Sequence, residues 1–237
     1  MDLIMQLNVS DIMPEKKAVL RNQGIPEGVP IQARIQSLAA DALDEFTAGA
    51  QPVGISLELS IKECEAIFKG EGNNAKDTPI EHIFPQADNL ALYALTMGSE
   101  VSIKIEKLFK DNEFALGSML DSVASLAADK AVEVYEEYFF DELSERDNAA
   151  PDTCVLSYSP GYCGWHISGQ KKLFHYLQPE KIGMSLNDSF LMSPLKSVTG
   201  LLVAGKKEIH IFETDYSFCG SCKDRTCLKR IKRLLTE

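Results

Sequence analysis

One long stretch of helical periodicity constrains the fold of this chain more than any other feature. Between Glu113 and Leu143, apolar residues recur at the three- and four-residue steps of an α-helix, namely at Leu116, Leu120, Val123, Ala127, Ala131, Val134 and Tyr138. Serine and alanine are frequent in the middle of this stretch. Because small side chains let another backbone approach closely, the stretch predicts one long helix that packs centrally under a sheet.

Shorter periodic segments predict further helices. The spacing of apolar residues favours helices at 30–46 and at 171–177. A helix is also expected from Val101 to Phe109, with the hydroxyl of Ser99 as its N-cap.

The strands are predicted from β-branched and apolar runs at 53–59, 89–97 and 154–158. Two more runs, Ser197–Ala204 and Glu208–Phe212, flank Gly205-Lys206-Lys207, a spacing that favours an antiparallel hairpin. The strands do not alternate regularly with crossover helices, so the sequence predicts an α+β domain with an antiparallel sheet.

Composition and charge limit the classes of partner. The 237 residues are 45% hydrophobic and 25% charged, the balance of a globular protein that can hold a core without disulfides. A net charge of -11 argues against a nucleic-acid or anionic membrane partner. The start has no positively charged leader, and no run reaches the roughly 18 apolar residues of a membrane span, so a cytoplasmic protein is expected.

One segment directly after a predicted strand is dense in polar and aromatic groups. It reads Ser157-Tyr158-Ser159-Pro160-Gly161-Tyr162-Cys163-Gly164-Trp165-His166. Pro160 and Gly161 predict a sharp turn that brings the backbone close to a ligand. Composition alone leaves two interpretations equal: a binding site, or a β-turn whose aromatic rings cover the edge of the core.

Two motifs together resemble a known family. The S-P-G-Y loop is followed, about twenty residues on, by I-G-M-S-L-N-D-S-F-L-M-S-P and then by S-V-T-G. This order resembles the C-terminal activation domain of cobalamin-dependent methionine synthase, with its R-P-x-P-G-Y-P loop, I-G-M-x-L-T-E-S-F-x-M-x-P stretch and S-V-S-G. The resemblance is close over Ser157 to Gly200 and weaker over Ile31 to Phe212.

The resemblance implies a fold and a role. The family's domain is a C-shaped α+β domain that binds S-adenosylmethionine in a shallow groove. It presents the methyl group to a cobalamin held by another module, so that an oxidised cofactor returns to methylcobalamin after one-electron reduction. No stretch of this chain suits a second, corrinoid-holding domain, so action in trans is expected, on a corrinoid-binding protein or a methionine synthase lacking its activation domain.

The resemblance also implies site residues, although none with a catalytic role. The family's loop Gly-Tyr falls on Gly161 and Tyr162, after Pro160, and would hold the nucleoside and methionine parts of the ligand. The loop arginine that pairs with the ligand carboxylate falls on Ser157, which predicts weak S-adenosylmethionine binding because a charge-assisted contact is missing. The family's acidic helix residue falls on Asp129.

A cysteine-rich basic segment, 218–237, follows the region 1–217 that is expected to form the activation-domain-like unit. Cys219, Cys222 and Cys227 have the spacing C-x2-C-x4-C, which favours metal binding or redox chemistry over structural disulfides. A fourth ligand is expected from Cys163 first, with Cys154, Cys64, His166, His210 and Asp215 as alternatives. Thiolate charge would be offset by four basic residues: Lys223, Arg225, Lys229 and Arg230.

Two functional hypotheses remain open at this point. In the first, the chain supports reductive reactivation of a corrinoid protein, and the cysteines hold an iron–sulfur cluster or zinc. In the second, it is a non-catalytic interaction module of the same fold that holds a structural zinc and binds no S-adenosylmethionine. Reduced surface thiols without metal are the simplest interpretation of the cysteines.

Overall fold

The structure, a computed structural model, describes residues 3–213, 215–220, 222 and 226–236. The α-helices in these ranges are α1 (Val9–Ile12), α2 (Lys16–Asn22), α3 (Ala33–Gly49), α4 (Ile61–Lys69), α5 (Pro79–Ile83), α6 (Ser99–Lys110), α7 (Phe114–Glu145), α8 (Gly169–Leu177) and α9 (Thr226–Thr236). The strands are β1 (Leu3–Gln6), β2 (Val53–Leu59), β3 (Asn89–Thr96), β4 (Thr153–Tyr158), β5 (Ser185–Leu186), β6 (Met192–Ser193) and β7 (Ser197–Lys206).

Five strands form one sheet in the order β1-β2-β3-β7-β4, and every neighbouring pair is antiparallel. The short strands β5 and β6 pair separately. The predicted α+β class with an antiparallel sheet is therefore confirmed, and the predicted strands at 53–59, 89–97 and 154–158 correspond to β2, β3 and β4.

The predicted hairpin between Ser197–Ala204 and Glu208–Phe212 is wrong. Strand β7 continues through the expected turn, with Gly205 opposite Cys154 and Lys206 opposite Thr153. Both edges of β7 are already occupied, by β3 and β4, so no edge is left for a hairpin partner. The chain instead forms a short 3₁₀ helix at Lys207–His210.

The predicted helices are confirmed as α3, α6, α7 and α8. Helix α3 begins and ends three residues later than predicted, and α6 differs from the prediction in its N-cap. Ser99 is the first helical residue, and the N-cap position is taken by Gly98, which makes no side-chain cap. A glycine cap costs little here, because the helix buries Val101, Ile105 and Leu108 against the rest of the fold.

The sheet separates two apolar layers because alternate residues of each strand face opposite sides. Helix α7 lies in the layer with α3 and α6, in contact with Ala91, Tyr93 and Leu95 of β3. The opposite layer packs α4, α5 and α8 against Leu90 and Leu92. The small-residue middle of α7 is buried at Ala124, Ala127, Ala128 and Ala131, as its composition predicts.

Helix α9 packs on the domain at the β4 side. Ile231 and Leu234 are buried, and the Arg230 guanidinium contacts β4. Within the described ranges, no helix combines the length and the apolar character that crossing a membrane requires.

Candidate functional site

The S-P-G-Y loop leaves the sheet at the end of β4 and folds into a compact turn. The Gly161 N–H donates to Trp165 O at 2.7 Å, and the Trp165 N–H donates to Tyr162 O at 2.9 Å. Trp165 is only 2% exposed, whereas Tyr162 is 52% exposed. The buried tryptophan therefore anchors a loop that presents Gly161 and Tyr162 to solvent.

Strand β4 is an edge strand, and the outward backbone groups of Ser157 are bound by two opposite charges. The Ser157 N–H donates to Glu136 Oε1 of α7 at 2.7 Å. The Arg230 Nη1 of α9 donates to Ser157 O at 2.6 Å. Burial raises the pKa of Glu136, while Ser157 and Arg230 oppose that rise. A carboxylate and a guanidinium thus flank the residue that precedes the loop.

Tyr158 and His210 form a buried polar pair beside this edge. Their rings stack with 6.0 Å between centroids, and the Tyr158 hydroxyl lies 2.9 Å from His210 Nδ1. His210 Nε2 lies 3.3 Å from Cys154 O, which can only accept, so Nε2 carries the proton and Nδ1 accepts from Tyr158. Both ring nitrogens are therefore engaged.

Stability should depend on pH through His210. Burial lowers the pKa of this imidazole to about 4, and Arg230 adds to the lowering. In the unfolded state the pKa of His210 has its ordinary value of about 6.5. Between pH 6.5 and pH 4 the unfolded state therefore binds more protons than the folded state, so the free energy of unfolding falls as the pH drops. We expect a loss of about 2 kcal/mol between pH 7 and pH 5, measured by urea unfolding.

The variant His210→Gln should remove most of that pH dependence, whereas His82→Gln should keep it, because His82 is exposed. Glu136 titrates in both proteins, so its contribution cancels in the comparison. Equal pH dependence of the free energy of unfolding in the wild type and in His210→Gln would show that His210 does not cause it.

The cysteine-rich segment meets the same loop. A side chain at Gly164 would come within 2.7 Å of Phe218 Cε1, so Phe218 packs directly against the residue after Cys163. The Cys222 N–H donates to Cys219 O at 3.3 Å, which closes a turn. Burial raises the pKa of Cys163 to about 12, and the Cys227, Cys219 and Cys222 thiols add to the rise. The three C-terminal cysteines therefore lie close enough to Cys163 to influence its thiol.

Other predicted residues lie elsewhere or are not described. Asp129 is exposed on α7, two turns before Glu136. Lys223 and Arg225 lie outside the described residues. In the part of the chain that the structure describes, no group of three or more His, Cys, Asp or Glu side chains is arranged to hold a metal ion. The metal site therefore stays a prediction.

Sequence reasoning missed the contacts of Glu136 and Arg230 with Ser157. Glu136 is one of several acidic residues in α7, and nothing in its spacing distinguishes it. The sequence indicates for Arg230 only a role in offsetting the negative charge of the cysteine thiolates. Each residue is far from Ser157 in sequence, so only the packing of α7 and α9 against β4 brings them together.

The chain is similar to a known family and to a solved structure. Residues 80–217 match the family model described as vitamin B12 dependent methionine synthase, activation domain. No curated protein matches the chain. A crystal structure of the MetH reactivation domain bound to AdoHcy is similar, with a TM-score of 0.61 and 14% identity. That alignment covers 100% of this chain and 89% of the other, and at this identity it establishes a shared fold.

Proposed function

Because the chain belongs to the family of the vitamin B12 dependent methionine synthase activation domain, we propose that it binds S-adenosylmethionine and presents the methyl group to a corrinoid. The corrinoid would be held by a separate protein, so the chain would act in trans. The methyl group would leave the sulfonium sulfur, releasing S-adenosylhomocysteine, and an external one-electron reductant would supply the electron for reactivation.

The observation that carries this proposal is the exposed Gly161–Tyr162 loop beside a charged strand edge. Tyr162 offers an aromatic face that suits an adenine ring. Glu136 and Arg230 supply opposite charges at Ser157, which suits a ligand with an amino-acid end. The buried Arg230 Nε has no hydrogen-bond partner in the described part of the chain. It is therefore a hydrogen-bond donor that a ligand acceptor could satisfy. These residues support binding of the ligand. The similar MetH domain was solved with AdoHcy bound.

Titration calorimetry with S-adenosylhomocysteine tests the proposal. The variant Tyr162→Ala should weaken affinity by about ten-fold or more, since stacking of a base on an aromatic ring contributes roughly 1–3 kcal/mol. Tyr176→Ala is a matched control, because Tyr176 is an exposed tyrosine of α8 that lies outside the loop. Absence of binding to the wild type, or equal losses in both variants, would contradict the proposal.

We propose as a second function a metal centre formed by Cys163, Cys219, Cys222 and Cys227. The C-x2-C-x4-C spacing and the packing of Phe218 against Gly164, the residue after Cys163, support it. Zinc would hold α9 and the loop together, and an iron–sulfur cluster would in addition carry electrons. Zinc without binding of S-adenosylhomocysteine would instead indicate an interaction module of the same fold.

Metal content should depend on these cysteines. Protein purified without oxygen is expected to carry zinc or iron, and Cys163→Ser and Cys219→Ser should each lower the content severely, because tetrahedral thiolate sites need all their ligands. Cys64→Ala should leave it unchanged, since Cys64 is buried in the α4 core. Elemental analysis and an absorption spectrum measure the result. Wild-type protein without zinc or iron would remove the metal centre.

A further inference from the structure

Helix α9 lies at the outer edge of β4, next to the proposed ligand loop, and contacts that edge through Arg230. Ile231 and Leu234 anchor the helix by burial, and Arg230 is half-buried. Four basic residues and no acidic one occur in this helix: Lys229, Arg230, Lys232 and Arg233. In a chain with a net charge of -11, this helix concentrates positive potential at one strand edge.

Arg230 is the positive charge shared by the polar groups at this edge. Its guanidinium carbon lies 4.9 Å from the centre of the Tyr158 ring, and its Nη1 is bonded to Ser157 O. The same charge acts on four further side chains of α7, β3, the loop and the 3₁₀ helix: Glu136, Tyr93, Cys163 and His210. The guanidinium therefore contacts β4 directly and also acts on the polar groups around it.

The Arg230 guanidinium has a donor that the described residues leave unused. Its Nε is buried and has no hydrogen-bond partner among them. A buried donor without a partner costs about 1–3 kcal/mol, so an acceptor that reached it would be bound favourably. The Ser157 contact uses Nη1, on the other side of the group from the fork formed by Nε and Nη2. That fork matches the two oxygens of a carboxylate.

We infer that Arg230 binds the carboxylate at the amino-acid end of S-adenosylmethionine, an inference that rests on the proposed function. Ser157 was expected to leave this carboxylate without a charged partner. Arg230 brings a guanidinium to Ser157 from α9, which lies outside the matched residues 80–217. The ligand is thus held by two separate parts of the chain, the loop and the C-terminal helix.

Calorimetry with two ligands tests the inference on the unaltered protein. S-adenosylhomocysteine carries the carboxylate, and methylthioadenosine has the same nucleoside without the amino-acid end. The wild type should bind S-adenosylhomocysteine at least about ten-fold more tightly, as a charge-assisted contact contributes roughly 1.5–3 kcal/mol. Equal affinity for the two ligands would overturn the inference and leave the proposed function intact. Absence of binding by either ligand would overturn both.

Variants of α9 test whether Arg230 is the residue that binds the carboxylate. Arg230→Met should reduce the affinity for S-adenosylhomocysteine to near that for methylthioadenosine, while the affinity for methylthioadenosine changes by less than about two-fold. Arg233→Met removes an exposed arginine from the same helix and should change neither affinity. An Arg230→Met protein that keeps its preference for S-adenosylhomocysteine would overturn the inference. A loss of affinity for both ligands in that variant would also overturn it, because the role of Arg230 would then be to hold the fold.

Discussion

Replacement of Gly200 with alanine is expected to lower the free energy of unfolding by about 2–3 kcal/mol and to remove measurable binding of S-adenosylhomocysteine. Gly200 lies in β7 between β3 and β4. A side chain there would come within 2.5 Å of Tyr158 O and 2.8 Å of Tyr93 Cε1. The obstacle at Tyr158 is backbone, so β4 and the start of the loop must shift. Chemical unfolding and calorimetry on the same preparation measure both effects.

Gly205→Ala is the matched control, because Gly205 lies in the same strand. Its added side chain would meet the terminal Cδ1 of Ile209, a flexible atom that can move aside. We expect a loss below about 1 kcal/mol and unchanged ligand affinity. Equal destabilisation by the two substitutions would show that close approach of β4 does not account for the glycine at position 200.

Replacement of Gly161 with alanine should weaken binding of S-adenosylhomocysteine by more than about ten-fold, with a smaller effect on stability. Gly161 has a φ of 96°, which costs an L-residue roughly 1–2 kcal/mol or more. The loop would relax by changing the Gly161 to Trp165 hydrogen bond, and the exposed Tyr162 ring would move with it. Calorimetry reports the affinity, and thermal unfolding reports the stability.

Gly183→Ala is the control that separates the effect of backbone strain on stability from an effect on the ligand loop. Gly183 has a φ of 77°, and an added Cβ would meet no atom within 4 Å, but it lies after the Pro179–Ile182 turn and not in the loop. Its substitution should cost a similar amount of stability and leave the affinity unchanged. If both variants bind equally well, the loop conformation does not determine binding.

The parts of the fold that follow from local pattern were predictable. Helix α7 and strands β2 and β3 carry strong periodicity or continuous apolar runs. The observed bounds of β2 equal the predicted ones, and those of β3 and α7 differ by at most two residues. The hairpin after β7 was not predictable from local pattern. Glu208–Phe212 has strand-like composition, but the sheet order had already filled both edges of β7. The strand propensity of this segment is therefore overridden by the tertiary pairing of the sheet.

The candidate site likewise has one part that was predictable from the sequence and one that was not. The S-P-G-Y loop is contiguous, so its turn could be predicted from Pro160 and Gly161. The charges at Ser157 come from Glu136 and Arg230, which lie 21 and 73 residues away in sequence. No spacing rule connects such positions, because their proximity follows from how α7 and α9 pack on an edge strand.

We propose that this chain delivers a methyl group from S-adenosylmethionine to a corrinoid on another protein. The most direct test uses methionine synthase that lacks its activation domain and has been oxidised to the cob(II)alamin form. Absorption spectra are recorded with S-adenosylmethionine and a one-electron reductant, with and without this chain. Conversion to the methylcobalamin spectrum is expected only when the chain is present, and slower conversion is expected with Tyr162→Ala. A spectrum that stays that of cob(II)alamin with the chain present, while the activation domain restored in trans converts it, would contradict the account.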